Sequence, residues 1–303
     1  MMDKKQSTSN KNILITVLGW EERFIEGITI DIKKHEYDYC LIIIYLNYFN
    51  KDEYKGIMQE YQDRVKTLCE EQKIELSSLE FESSAPSHFL SDNKLPSIFN
   101  GYKNCNLTFD ITSIPRALIW HLLSLSEDVS GSINLIYHKP IKYGNWLCRN
   151  FEKPILQIGH SGIFKFGVQT ALIIITGFDT ERSKQLITHF EPDKIFLCVQ
   201  DGNQFDNHLR NIQENKIFTP PVEVVRIDSY DINSATDIVS NIADQLNDYN
   251  IILSSLGPKV SSIVAYNTYT KYPNIGLAYV PANEISIDYS TGIADSISYN
   301  IKE

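Results

Sequence analysis

The chain lacks a surplus of positive charge, long apolar runs and paired cysteines, and each shortage removes a class of function. Its 303 residues carry 28 lysines and arginines against 38 acids, for a net charge of −10. Duplex nucleic acid is bound without sequence preference by broad basic surfaces, so no such surface is expected. The longest apolar runs have the length of strands, and no membrane-spanning helix is expected. Residues 1–11 (MMDKKQSTSNK) hold no apolar leader core and read as a disordered tail. Five cysteines, Cys40, Cys69, Cys105, Cys148 and Cys198, form no C-x-x-C pair and no zinc-spaced cluster. Buried thiols in a reducing compartment follow, and a cytoplasmic location is the expectation.

Several catalytic signatures are also missing. There is no G-x-x-x-x-G-K-[ST], no G-x-G-x-x-G and no G-x-S-x-G. Asp110, Asp179 and Asp201 stand on separate loops, and single carboxylates do not define a metal site. No metal and no cofactor are expected.

What is present is a strand–helix alternation, met twice. In the first half, strands are expected at Ile13–Leu18, Tyr39–Leu46, Ile74–Phe81, Leu107–Ile111 and Ile133–Tyr137, with helices over Phe24–Lys34 and Asp52–Gln72. Residues 82–103 are rich in Ser, Pro and Asn and read as an irregular insertion with one short helix, placed to act as a lid. In the second half, strands are expected at Ala171–Thr176, Lys194–Val199, Val222–Ile227, Asn250–Ser254 and Ile275–Val280. Helices are expected over Ser183–Phe190, Asp206–Glu214, Ser234–Asn247 and Val260–Tyr269. Ile285–Tyr289 and Ile297–Ile301 read as a terminal hairpin, and Gly159–Gly167 as the joint between halves.

The turn residues repeat with the strands. Gly19 and Gly177 differ by 158 positions and Arg23 and Arg182 by 159; Pro115 and Pro258 differ by 143 and Tyr137 and Tyr279 by 142. The drop between the early and late offsets matches the 82–103 insertion. The expected fold class is α/β: two tandem Rossmann-like units with mostly parallel sheets, related by internal duplication. Their bounds are read as 12–158 and 168–303.

In such sheets ligands bind at the carboxyl ends of the strands. The fourth-strand turns there are Thr112-Ser113-Ile114-Pro115-Arg116 and Ser254-Ser255-Leu256-Gly257-Pro258-Lys259. Each ends in a fixed cation at a helix start, a position the helix dipole disfavours, so a function as anion contact is expected. Arg23 and Arg182 follow the first strands and also have acidic neighbours (Glu21 and Glu22; Asp179 and Glu181) with which to form structural ion pairs. Lys139 and His138 follow the fifth strand. The ligand set is therefore Arg23, Thr112, Ser113, Arg116, Lys139, Arg182, Ser254, Ser255, Gly257 and Lys259, with His138 and Asp110 as acid–base candidates.

Asp110-Ile111-Thr112-Ser113-Ile114-Pro115-Arg116-Ala117 resembles the loop after the fourth strand of CRISPR-associated Rossmann-fold (CARF) sensor domains. There a Thr/Ser- and Gly-rich turn ending in Lys precedes a helix and contacts cyclic oligonucleotide phosphates. Ser254 to Lys259 is the closer match; the first turn lacks the Gly and has Arg for Lys. SAVED sensors, with two such units in one chain, are similar. The resemblance implies a nucleotide sensor in signalling or antiviral defence, with ligand between the halves. Its partners would be a nucleotide or other phosphate-bearing molecule and a separate effector protein, and a homo-oligomer stays open. An enzyme on a nucleotide or phosphorylated sugar, cleaving a phosphodiester or glycosidic bond, is the second reading. An interaction scaffold without ligand is the third.

Overall fold

The computed structural model describes residues 10–46, 52–81, 94–178, 180–201 and 222–302. The expected helix at 206–214, Asp179, most of the loop after Asp201 and residues 82–93 of the insertion lie outside them.

Continuous apolar runs with β-branched residues become central parallel strands, because both faces of each must be covered. In the first half β1 (Asn12–Val17), β2 (Tyr39–Tyr45), β3 (Glu75–Phe81), β4 (Asn106–Asp110) and β5 (Ile133–Tyr143) form one sheet, in the order β5-β4-β1-β2-β3. In the second, β8 (Thr170–Ile175), β9 (Lys194–Gln200), β10 (Val222–Ile227), β11 (Asn250–Ser255) and β12 (Ile275–Tyr279) give β10-β9-β8-β11-β12. Renumbered within each half, the two orders are the same. All these pairings are parallel. The molecule is an α/β protein of two Rossmann-like units.

Each sheet is completed by the other half. β14 (Ser290–Lys302) runs antiparallel to β5, from Ser290 opposite Tyr143 to Lys302 opposite Ile133. β7 (Ile155–Leu156) pairs antiparallel with β12. Between them, β6 (Cys148–Phe151) pairs with β13 (Ala282–Ile285) as a separate ribbon. The bounds 12–158 and 168–303 are therefore crossed in both directions. The expected terminal hairpin does not form: its first segment overlaps β13, its second lies in β14, and each finds a partner in the first half. A long open strand edge is satisfied better by β5 than by a short local turn.

Helices α1 (Glu22–Lys34) and α2 (Asp52–Gln72) cover the outer face of the first sheet, packing Phe24, Ile25, Ile28, Met58 and Val65 against β1 and β2. α5 (Thr180–Phe190) does the same for the second sheet through Leu186 and Ile187. The inner faces share one core with α3 (Lys94–Gly101), α4 (Arg116–Leu125), α6 (Ile232–Asp244) and α7 (Ser261–Tyr269) between them. α4 and α7 are buried nearly all round, as helices between two sheets must be. Trp120 of α4 is fully buried and its Nε1 donates to Ser262 O of α7 at 2.9 Å. α3 is the short helix of the insertion; Phe99 stacks on Phe109, so this part belongs to the core and is no lid. Among the described residues no helix is long and apolar enough to cross a membrane.

Candidate functional site

The shared inner core brings the N-termini of α4 and α7 together, and with them the two fourth-strand turns. In each half the first-strand turn is pressed on the fourth-strand turn through a glycine. A Cβ on Gly19 would lie 2.9 Å from Ser113 Cβ, and one on Gly177 1.8 Å from Leu256 O. The cations then cross between halves. Arg116 Nη2 donates to Gly257 O, and Lys259 Nζ donates to Ile114 O at 2.9 Å. Each turn's cation thus holds a main-chain carbonyl of the other turn. Arg116 Nε is buried with no hydrogen-bond partner.

Two small cavities lie around these contacts. One, of about 20 Å³, is lined by Arg23, Arg116, Arg182, Lys259, Tyr137 and Tyr143 among others. The second, of about 70 Å³, shares Arg116, Arg182 and Lys259 and adds Glu21, Ser113 and Tyr279. The β6–β13 ribbon closes the second through Cys148, Ala282 and Ile285. Four cations in a protein of net charge −10 therefore converge on one place, drawn from both halves.

They are not equivalent. Arg23 is 1 % exposed and fully engaged: Nε donates to Ser290 Oγ at 2.6 Å, Nη1 to His138 O at 2.6 Å and Nη2 to Glu21 Oε2 at 2.7 Å. Burial opposes its charge, but Glu21 more than compensates and holds it firmly protonated. Arg182 lies over the Phe151 ring, 4.9 Å from its centroid. Lys259 is pulled down to about 7 by desolvation and by Arg116 and Arg23, against the opposing pull of Glu21. An ammonium poised near neutrality among other cations is a site that gains from an incoming anion.

The other expected residues separate into those that line a cavity and those that are buried behind it. Ser113 lines the second cavity while its hydroxyl donates to Val17 O. Gly257 lines the first cavity; a side chain there would crowd Gln200 Nε2, Ser261 Oγ and Thr176 O. Thr112, Ser254 and Ser255 are buried supports. Thr112 Oγ1 accepts from His138 N at 3.0 Å, Ser254 Oγ donates to Ala278 O at 3.0 Å, and Ser255 Oγ bonds Ser261 Oγ at 2.7 Å. Lys139 and His138 are not in a turn, because β5 continues to Tyr143 on the support of β14. Lys139 sits over the Tyr230 ring at 4.6 Å. His138 and Asp110 are 0 % exposed and line neither cavity. Tyr143 and Tyr289 were not expected in the lining; Tyr143 ends β5 beyond the parallel sheet, and Tyr289, just before β14, packs edge-on against it.

No family model matches the chain, and no curated protein matches it in sequence. Among solved structures it resembles a type III CRISPR defence DNA nuclease activated by cyclic oligoadenylate. The TM-score is 0.53 at 6 % identity, over 85 % of this chain and 64 % of that one. The chain thus spans less than two thirds of that nuclease's length, and at this identity the likeness is one of fold. The cytoplasmic domain of a prokaryotic cation chloride cotransporter overlaps 92 % of this chain and 99 % of its own at 10 % identity, with a TM-score of only 0.29.

Proposed function

We propose that this protein recognises a nucleotide, a cyclic oligonucleotide in particular, in the cleft between its two Rossmann-like halves, as a sensor in a defence or signalling system. The observation that carries the reading is the reciprocal placement of Arg116 and Lys259, one from each fourth-strand turn, in a shared cavity wall. A ligand with phosphates on both sides of a ring suits cations delivered from both sides of an interface. The fold likeness to a nuclease activated by cyclic oligoadenylate supports the same ligand class. The parallel turns also support descent of the halves by duplication.

Cavities of about 20 and 70 Å³ hold water or a small anion. Nucleotide-sized pockets run to roughly 300–1,000 Å³. Ligand entry therefore parts the two turns. Phosphate oxygens take over the donors that now serve Gly257 O and Ile114 O. A ligand that binds only the parted arrangement shifts the molecule toward it, and a separate effector protein would read that change.

Recognition fits the site better than turnover. The two acid–base candidates, His138 and Asp110, are sealed behind the first turn. Glu21 is committed to Arg23 and Ser290. The test is a thermal-shift panel of linear and cyclic mono-, di- and oligonucleotides, with chromatography of each mixture afterwards. Stabilisation by a cyclic oligonucleotide recovered intact is expected. Conversion of the ligand moves the assignment to an enzyme, and indifference to the whole panel overturns nucleotide recognition.

A further inference from the structure

A second polar centre lies behind the first turn, away from the cleft. Asp31 comes from α1, Asp110 from the end of β4 and His138 from β5, and they are 2 %, 0 % and 0 % exposed. One ligating atom of each lies within 4.8 Å of the others. His138 Nε2 is 3.2 Å from Asp31 Oδ2, while His138 Nδ1 is 2.8 Å from Ser296 Oγ on β14. Asp110 Oδ1 accepts from Thr112 N at 3.0 Å, but Asp110 Oδ2 is buried without a hydrogen-bond partner. A buried carboxylate oxygen left without a donor is costly and needs a reason.

Helix α1 is shaped around this centre. A Cβ on Gly27 would fall 2.3 Å from His138 Cδ2, so only glycine lets the helix come this close to the ring. Glycine inside a helix costs roughly 0.5–1 kcal/mol relative to alanine. The chain accepts that cost where Asp31, one turn further on, reaches the imidazole.

We propose that Asp31, Asp110 and His138 bind Zn²⁺ through one oxygen of each carboxylate and His138 Nε2. Two carboxylates and a neutral imidazole balance the ion's charge, and a small set of oxygen and imidazole donors suits Zn²⁺. Ser296 Oγ can accept from Nδ1–H, which leaves the Nε2 lone pair for the metal; an outer partner of this kind accompanies most ligating histidines. Mg²⁺, Mn²⁺ and Ca²⁺ want several waters or six to eight oxygens, which a site this buried does not offer. The ion would tie α1, β4 and β5 together and, through Ser296, the returning strand β14. It would sit directly behind the turn that carries Ser113 and Arg116, fixing that turn without touching the cleft.

The test needs no nucleotide, so its outcome is separate from that of ligand recognition. The full chain is incubated with ZnCl₂, desalted and assayed for metal by mass spectrometry, beside Asp110→Asn and Ser296→Ala proteins whose folding is checked by circular dichroism. About one equivalent is expected in the wild type. Asp110→Asn should lose it, and Ser296→Ala should weaken affinity by about 10- to 100-fold, the effect typical of an outer partner. A wild type that retains no metal overturns the proposal even if the Asn variant fails to fold. Equal metal in wild type and Asp110→Asn overturns it as well, because the ion is then bound elsewhere. Metal-free protein would mean that the three groups hold one another as an ion pair with a shared proton.

Discussion

On the proposed reading, Lys259 is the residue at which pH and ligand meet. Its folded value of about 7 lies below the ordinary 10.5, so between those values the unfolded chain binds more protons than the folded one. Stability should therefore rise with pH across that window. Anion affinity should move the other way, since the ammonium is lost above pH 7. Affinity for a phosphate ligand is expected to fall by about tenfold between pH 7 and pH 8.5 in the wild type and to stay flat in Lys259→Arg. Titrations at several pH values check this; a flat wild-type profile would remove Lys259 from the contact. Arg23 is the opposite case. It is a structural cation, and Arg23→Ala leaves the buried Glu21 carboxylate without its countercharge. A loss of about 3–5 kcal/mol in chemical denaturation is expected.

At the scale of elements, β14 is the piece on which most depends. It covers the edge of β5, and its Ser290 and Ser296 reach Arg23 and His138. Deleting residues 290–302 should expose a long strand edge and drive the protein to aggregate, read by light scattering; a soluble monomer of native helicity would contradict this. Sequence reading located the parallel strands, because β2 and β8 are nearly unbroken apolar runs and β1 and β11 are built on shorter ones. It also paired Gly19 with Gly177 and Arg116 with Lys259, since local turn chemistry is written in consecutive residues. It could not give the partner of β14. That strand alternates exposed and half-buried residues, a pattern that says "edge" without saying whose. The same gap hid the full length of β5, and so placed His138 and Lys139 in a turn and left Tyr143 out. The buried Asp31–Asp110–His138 centre escaped for a related reason: its members are far apart in the chain, and only the closeness permitted by Gly27 brings them together.

At the scale of the whole molecule, the exchanged strands and the common core between the sheets make two units into one body. Halves cut at 158 and 168 would each lose an edge strand that the other supplies, β14 from the first sheet and β7 from the second. Each fragment should be insoluble when expressed singly, with folded protein recovered only on co-expression. The fourth-strand turns lie where the halves meet, so the proposed site needs the joined molecule. Calorimetric titration of the cyclic oligonucleotide selected by the stability panel into wild type, Arg116→Ala, Lys259→Ala and the double variant tests this most directly. With about 1.5–3 kcal/mol for each charge-assisted phosphate contact, the double variant is expected to bind at least about a hundredfold more weakly, with each single change contributing and the fold retained. Unchanged affinity in the double variant would contradict the shared site.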